Sequence, residues 1–258
     1  MLHTAARRWA HGTLSCRMLY RAWRYRWKVE AAEIRFLLRA IRPGQTVVDI
    51  GAHKGALTYW MQRCVGPLGQ VFAFEPQPEL ADYLVCIKSA LRMDHVTVVN
   101  GAMSSRCGTC TMVRPFGKPW PSAMITSEQR PDEEAVLVKS HTLDDFFRNK
   151  QRHPVHFIKC DVEGHEYDVF RGGEGVLRRD RPTLLFECER RHHPQRRIGH
   201  IFRYLEGLGY EGYFFARPRG GLRPLSELSE TQLAVPHSNT YTRNFVFCQK
   251  DCDVNLDC

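Results

Sequence analysis

The sequence predicts a doubly wound α/β domain, and three observations carry that expectation. Short apolar, β-branched runs recur along the chain, helical stretches alternate with them, and a carboxylate or glycine stands just past several of the runs. Runs that are apolar on every residue suit strands of a parallel sheet, whose crossover helices cover both faces. At 258 residues, 43% hydrophobic and 25% charged, the chain can bury one such core.

The elements follow in order. Residues 28–41 (KVEAAEIRFLLRAI) read as an amphipathic helix with Ile34, Leu37, Leu38 and Ile41 on one face, stopped at Arg42-Pro43-Gly44. TVVDI (46–50) is a buried strand, followed by Gly51 and a helix through Cys64. VFAF (71–74) is a second strand. Pro78 opens a helix to about Leu91, and VTVVN (96–100) is a third strand. Residues 101–130, rich in Gly, Ser, Pro and Met, read as a hairpin plus a mobile loop over a site. VLVKS (136–140) is a strand, TLDDFF starts a short helix, and HFIKC (156–160) is a buried strand ending at Asp161. A helix to Leu177, the strand TLLFE (183–187), a helix over 197–208, and the strands GYFFA and NFVFC complete the domain. The expected organisation is an arm at 1–28, the domain at 29–250 and a Cys-containing tail at 251–258.

The arm accounts for much of the net charge of +9: Arg7, Arg8, Arg17, Arg21, Arg24, Arg26 and Lys28 alternate with Trp9, Trp23, Tyr25 and Trp27. It reads either as a helix whose aromatics pack on the domain, or as a surface helix meeting anionic lipid or a polyanionic substrate. No nucleic-acid-binding motif accompanies it, so no nucleic-acid partner is expected. There is no run of about 18 apolar residues and no secretory signal pattern, so a cytoplasmic protein, at most peripheral to a membrane, is expected. The ten cysteines form no regular framework. Cys107 and Cys110 make one CxxC, which without a second pair reads as a turn at Gly108 with two ordinary thiols rather than a zinc site.

In doubly wound sheets ligands bind at the carboxyl ends of the strands, near the switch in strand order. The residues at and after the first strand's end are Asp49 and Gly51-Ala52-His53-Lys54-Gly55, a G-x-x-x-G spacing. A dinucleotide fold wants G-x-G-x-x-G, and His53 stands where its second glycine would be. No G-x-x-x-x-G-K-[ST] occurs, which excludes a P-loop. After the second strand come Glu75 and Pro76, and after the third Gly101 and Ala102. A carboxylate at the second strand's end can accept both hydroxyls of a ribose. A cofactor with a ribose and an ammonium but no phosphate fits this set, and S-adenosylmethionine is such a molecule. Its expected contacts are Asp49, Gly51, Ala52, His53, Gly55, Glu75, Pro76, Gly101, Ala102 and Asp161. Each motif alone could be structural: a strand-to-helix turn, or a helix cap before Pro76.

The segments VVDIGAHKG, VFAFEPQPE, TLDDFF and IKCDVEGHEYDVFRGG, in that order, resemble the FkbM family of S-adenosylmethionine-dependent methyltransferases. The closing NFVFC is similar to that family's last strand with its preceding Asn. The resemblance spans about residues 30–248. It implies a Rossmann-like, mostly parallel seven-stranded sheet with helices on both faces. It also implies methyl transfer to an oxygen of a sugar or another small or lipid-like molecule. The family usually carries Asn where this chain has His53, and it says nothing of the basic arm.

The cluster Asp161, Glu163, His165 and Glu166 follows the fourth parallel strand, and Glu187 and Glu189 follow the fifth. Methyl transfer aligns an acceptor oxygen with the sulfonium methyl and removes the acceptor's proton. Asp161, Glu163 and Glu187 are therefore expected at the boundary between cofactor and acceptor. His165 and His192 are candidate general bases, since imidazole titrates near neutrality. Glu166, three residues after Glu163, reads as the cap of the following helix. Glu187, Asp161 and His192 have the right chemistry for a divalent cation, but no fixed spacing supports one and no metal is predicted. The expected acceptor is a hydroxyl of a sugar, glycolipid or secondary metabolite, in a pocket shaped by Phe116, Trp120 and Met124. Two other readings stay open: a non-catalytic binding module, and a macromolecule methyltransferase guided by the arm.

Overall fold

The computed structural model describes residues 2–116, 123–126, 131–148, 154–192, 198–216, 221–234 and 239–249. Trp120 and the tail at 251–258 lie outside the described residues. Helix α1 (Leu2–Arg24) runs through a π-helical turn (Tyr25–Val29) into α2 (Ala31–Ala40). Next come β1 (Thr46–Ile50), α3 (Ala56–Val65), β2 (Gln70–Glu75), α4 (Pro78–Ala90) and β3 (Val96–Asn100). Four short strands follow: β4 (Ala102–Met103), β5 (Gly108–Pro115), β6 (Met124–Ile125) and β7 (Glu133–His141). Then come α5 (Leu143–Phe147), β8 (Val155–Cys160), α6 (Glu166–Arg171), α7 (Glu174–Asp180) and β9 (Thr183–Glu187). The last elements are α8 (Gly199–Glu206), β10 (Tyr210–Ala216), β11 (Gly221–Pro224), α9 (Glu230–Ala234) and β12 (Asn244–Gln249).

The main sheet has the order β11-β10-β12-β9-β8-β1-β2-β3. Strands β3, β2, β1, β8 and β9 are parallel, whereas β12, β10 and β11 add antiparallel neighbours. The chain winds outward from β1 to β2 and β3, then returns to place β8 on the other side of β1. That reversal puts the switch point between β1 and β8, so Gly51 and Asp161, which follow them, meet there. Every residue of β1 is buried, as expected for a strand covered on both faces. Val47 joins the core under α1–α4, with Met18, Leu37, Trp60 and Leu84. Val48 and Ile50 face the other core, with Phe147, Phe170, Leu177 and Phe202 from α5–α8.

Two features differ from expectation. The sheet has eight strands rather than seven, because β11 folds back on β10 as an edge hairpin. GLRP carries no apolar alternation, and a half-exposed edge strand needs none. Strands β4–β7 form a separate four-stranded sheet of order β4-β7-β5-β6, with β5 paired to β7 from Gly108 to Pro115. Most of the expected loop, at 117–122 and 127–130, lies outside the described residues, and the described strands form a layer of their own where the sequence suggested a hairpin. Arg114 ties it to the main body through Glu79, both Nη atoms bonding the carboxylate at 2.8 and 2.9 Å. The arm packs on the domain, as the first of its two readings expects: Met18 and Ala22 are fully buried, and Trp60 Nε1 donates to the Ala22 carbonyl at 2.9 Å.

Candidate active site

A cavity of about 340 Å³ opens at the carboxyl ends of the parallel strands, within the size range of small-molecule sites. Gly51 and Ala52 form its floor, where β1 turns toward α3. Gly51 has φ +76°, and a Cβ there would lie 1.9 Å from the Asp161 carbonyl oxygen, so only glycine lets the two strand ends approach. Two residues on, His53 also adopts a left-handed conformation (φ +49°). Asn and His are among the non-glycine residues that tolerate this region, which gives a physical reason for either at this position. Gly55 (φ +76°) caps α3 just behind the cavity wall.

Glu75 ends β2 and is 3% exposed. Its Oε2 accepts the His53 N–H at 2.7 Å and its Oε1 the Gln77 N–H at 3.0 Å, so the carboxylate is held flat against the cavity with lone pairs to spare. Burial pushes its pKa up to about 7, against the two N–H donors that lower it. Asn100 fixes the adjoining turn, donating from Nδ2 to the carbonyls of Glu75 and Pro76. Pro76, Gly101 and Ala102 line the same end, joined by Met112, Ala123 and Ile125 of the small sheet. The segment expected to shape the acceptor pocket thus walls the Glu75 end. Phe116 is 61% exposed, Met124 is absent from the wall, and the work falls to Met112 and Ile125.

The floor is organised by Lys159 of β8, which sequence reasoning missed. It is 8% exposed; its Nζ donates to the Gly51 carbonyl at 3.0 Å and sits 3.6 Å from both Asp49 Oδ1 and Asp161 Oδ2. Burial would lower its pKa, but Asp161, Asp49 and Glu30 outweigh burial and the direction is up. Asp49 is completely buried, accepting from Thr58 Oγ1 at 2.5 Å through Oδ2, while its Oδ1 has no hydrogen bond. A lysine in a largely apolar, buried strand, two residues before an aspartate, was the available signal.

The other end is a charged wall made by Asp161, Glu163, Glu187, Arg191 and Arg243, with Arg21, Tyr25 and Glu30 from the arm and its junction. Glu163 takes a left-handed backbone (φ +52°), and its Oε2 lies 3.0 Å from His192 Nδ1. Burial, then Asp161, raises the Glu163 pKa to about 7. Burial, again followed by Asp161, pushes Glu187 up to about 10, although Arg243 Nη1 lies 3.4 Å away. Its neighbour Glu189 goes the other way. Burial would raise it, but Arg243 at 2.9 Å, Arg191 and a hydrogen bond from Glu187 hold it below the usual carboxylate range. Burial thus favours the neutral form of Glu187, while the two arginines favour the ionised form of Glu189.

The structure brings together Asp49, Gly51, Ala52, His53, Glu75, Pro76, Gly101, Ala102, Asp161, Glu163 and Glu187 around one cavity. His192 stands behind Glu163 rather than on the wall. His165 is directed elsewhere, with Nε2 2.9 Å from Ser104 Oγ, and is not a wall residue. Glu166 does not cap the helix as expected: it is the first residue of α6, and its Oε1 accepts the N–H groups of Val162 and Gly164, tying the turn that precedes the helix. Among the described residues no three His, Cys, Asp or Glu side chains converge as metal ligands, so Asp161, Glu187 and His192 do not form such a set.

The fold is a Rossmann-like α/β sheet, and the cavity lies at its switch point, where sheets of this kind bind ligands. Residues 49–211 match the family model described as the methyltransferase FkbM domain, and the chain belongs to the FkbM family of S-adenosylmethionine-dependent methyltransferases. It is 27% identical over 157 residues to the hexuronic acid methyltransferase AglP of Haloferax volcanii, covering 60% of this chain and 61% of that protein. The match thus spans about three fifths of that relative's length. Among solved structures it is similar to an FkbM methyltransferase from Methylobacillus flagellatus KT, with 14% identity and TM-score 0.49 over 95% of this chain and 59% of that one. It is also similar to an O-methyltransferase from Thermotoga maritima, with 15% identity and TM-score 0.46 over 85% of this chain and 65% of that one.

Proposed function

We propose that this chain binds S-adenosylmethionine and methylates a hydroxyl oxygen of a sugar, glycolipid or secondary metabolite. The observation that carries the reading is Glu75, a buried carboxylate fixed by two backbone N–H groups and facing the cavity whose far end is the Asp161–Glu163–Glu187 wall. The residues present fit the cofactor. Glu75 would hold the ribose hydroxyls, and Met112 and Ile125 would cover the adenine. His53 Nε2, buried without a hydrogen-bond partner, and the cations Arg21 and Lys54 would meet the methionine end. Burial, then Lys54 and Lys159, lowers the His53 pKa to about 4, so near neutrality the ring is uncharged and one nitrogen is a free acceptor.

When bound, S-adenosylmethionine supplies a methyl group whose bond to sulfur breaks as the bond to the acceptor oxygen forms. The chain's part is to orient the acceptor and take its proton. Glu163 is the base: its pKa near 7 matches the working pH, and His192 at 3.0 Å steadies its carboxylate. Glu187, whose burial favours its neutral form, helps to position the acceptor rather than removing its proton. The likeness to a hexuronic acid methyltransferase supports a carbohydrate acceptor. The test is calorimetric binding of S-adenosylmethionine and S-adenosylhomocysteine, beside Glu75→Ala. Saturable binding that weakens by roughly ten- to a hundred-fold in the variant is expected from the lost charge-assisted hydrogen bonds. Absence of binding to the wild type would overturn the reading and leave a non-catalytic module.

A further inference from the structure

Helix α1 and the π-helical turn after it present two opposed faces. The inner one is committed: Met18 and Ala22 are buried, Arg26 lies 4.7 Å over the Trp60 ring, and Arg21 and Tyr25 reach the cavity wall. The outer face carries Arg17, Tyr20, Trp23, Arg24, Trp27 and Lys28, all exposed and spaced at three and four residues. Tyr20 is 72%, Trp27 67% and Trp23 46% exposed, a concentration of large aromatics unusual for a solvated helix. Residues 1–28 hold seven Lys and Arg (Arg7, Arg8, Arg17, Arg21, Arg24, Arg26 and Lys28) and no Asp or Glu.

We propose that this outer face is a docking surface for an anionic lipid bilayer. Trp and Tyr settle at the level of lipid headgroups, and cations beside them are drawn to anionic lipid. Among the described residues no helix is long and apolar enough to cross a membrane, so the contact lies on the surface. A single-stranded nucleic acid would need open ring faces for its bases to stack on. Here the Arg26 guanidinium stands over both Trp23 and Trp27, at 5.3 and 5.5 Å, and Trp60 packs edge-on against Trp23. Arg26 thus covers a face of each of these two rings, which leaves less open face for bases to stack on and suits insertion among headgroups better. Because Arg21 and Tyr25 belong to the same turns, docking brings the cavity within about a helix diameter, roughly 10 Å, of the lipid. On the methyltransferase reading above, that proximity favours an acceptor hydroxyl carried on a lipid.

The test is co-sedimentation of the full chain with phosphatidylcholine vesicles, with and without phosphatidylglycerol, at low and high salt. We expect binding to the anionic vesicles only, a blue shift of tryptophan fluorescence, and release by salt. Each cation near the surface contributes about five-fold to partitioning, so Arg24→Ala with Lys28→Ala is expected to weaken it roughly 25-fold. Tyr20→Ser with Trp27→Ser is expected to weaken binding and diminish the blue shift, which Trp23 still reports, with unfolding midpoints showing that both variants fold. Equal binding to neutral vesicles, no binding to either, or unchanged binding by the charge variant overturns the proposal. So does binding of a single-stranded RNA oligonucleotide without vesicle binding, which would assign the face to nucleic acid. S-adenosylhomocysteine affinity separates the two readings, since vesicle binding without it leaves the docking surface standing while the methyltransferase reading falls.

Discussion

Replacing Lys159 by Met tests whether the cavity floor rests on one buried cation. Met has nearly the same length and is apolar, so the change removes charge more than volume. Lys159 Nζ lies 3.6 Å from each of Asp49 and Asp161. At an effective dielectric of about 20, each pair has a gross attraction of about 4–5 kcal/mol. Most of it is offset by the cost of taking the ions out of water, so the gross figure is not the expected loss. What matters is the group left behind. Asp49 is completely buried, and without Lys159 it keeps only the Thr58 hydroxyl as a partner. Orphaning a buried charge in this way costs about 3–5 kcal/mol. Asp161 is 29% exposed and adds less, because water can screen it. For a chain of this size the expected fall in melting temperature is roughly 6–20 °C. Asn in place of Asp49 can still accept from Thr58 but carries no charge. The double variant Asp49→Asn/Lys159→Met is therefore expected to regain about 2–3 kcal/mol over Lys159→Met alone. Urea unfolding of the four proteins measures both numbers. A Lys159→Met variant within 1 kcal/mol of wild type, or a double variant no more stable than the single, would refute the reasoning.

Three further outcomes follow from the same electrostatics. Burial raises Glu30, Glu75 and Glu163 from 4.5 to about 7, so the stability they contribute is full below pH 4.5 and is lost as pH rises through 7. His53, lowered from 6.5 to about 4, works the other way over nearly the same window, so three groups against one predict a lower melting temperature at pH 8 than at pH 5.5; a rise would contradict the burial argument. With an acceptor in hand, kcat/KM is expected to climb to a plateau above about pH 7, and Glu163→Gln to lower kcat by about 10²–10⁴-fold while S-adenosylhomocysteine affinity stays within a few-fold. A variant with normal kcat would remove Glu163 as the base. Arg21→Ala is expected to weaken S-adenosylhomocysteine roughly ten-fold but leave 5′-methylthioadenosine, which lacks the carboxylate, unchanged. Equal losses for both ligands would show that Arg21 acts through packing on Tyr83, which it hydrogen-bonds at 3.2 Å.

The parallel half of the sheet was legible in the sequence because TVVDI, QVFAFE, VHFIKC and TLLFE are buried on both faces and leave a single pattern to read. The antiparallel edge was less so, since Gly221–Pro224 contributes only one apolar side chain to the core, Leu222, and a four-residue run with no alternation gives no strand pattern. In the site, the carboxylates were readable because a strand's end fixes where the next residue points: Asp49, Glu75, Asp161 and Glu187 each close a strand, and all four reach the cavity. Residues set by tertiary approach were not. Arg21, Tyr25 and Glu30 arrive from a helix that precedes β1, and nothing in their spacing shows that the π-helical turn delivers them to the wall.

The histidines show the same limit from the other side. His165 and His192 have similar sequence claims on Glu163, yet the turn between β8 and α6 decides between them. Gly164 has φ +100°, and a Cβ there would meet the His192 carbonyl oxygen at 2.7 Å, so this glycine admits the segment after β9 close against the turn. That approach sets His192 Nδ1 beside Glu163, while His165, next in the chain, is carried past the turn toward Ser104. A glycine with no chemistry of its own thus selects which imidazole stands behind the proposed base. Conversely, Lys159 was overlooked because a lone lysine usually marks solvent. Inside a strand buried on both faces that inference reverses, for a cation there must have partners. Its partners are two of the aspartates the sequence had already singled out.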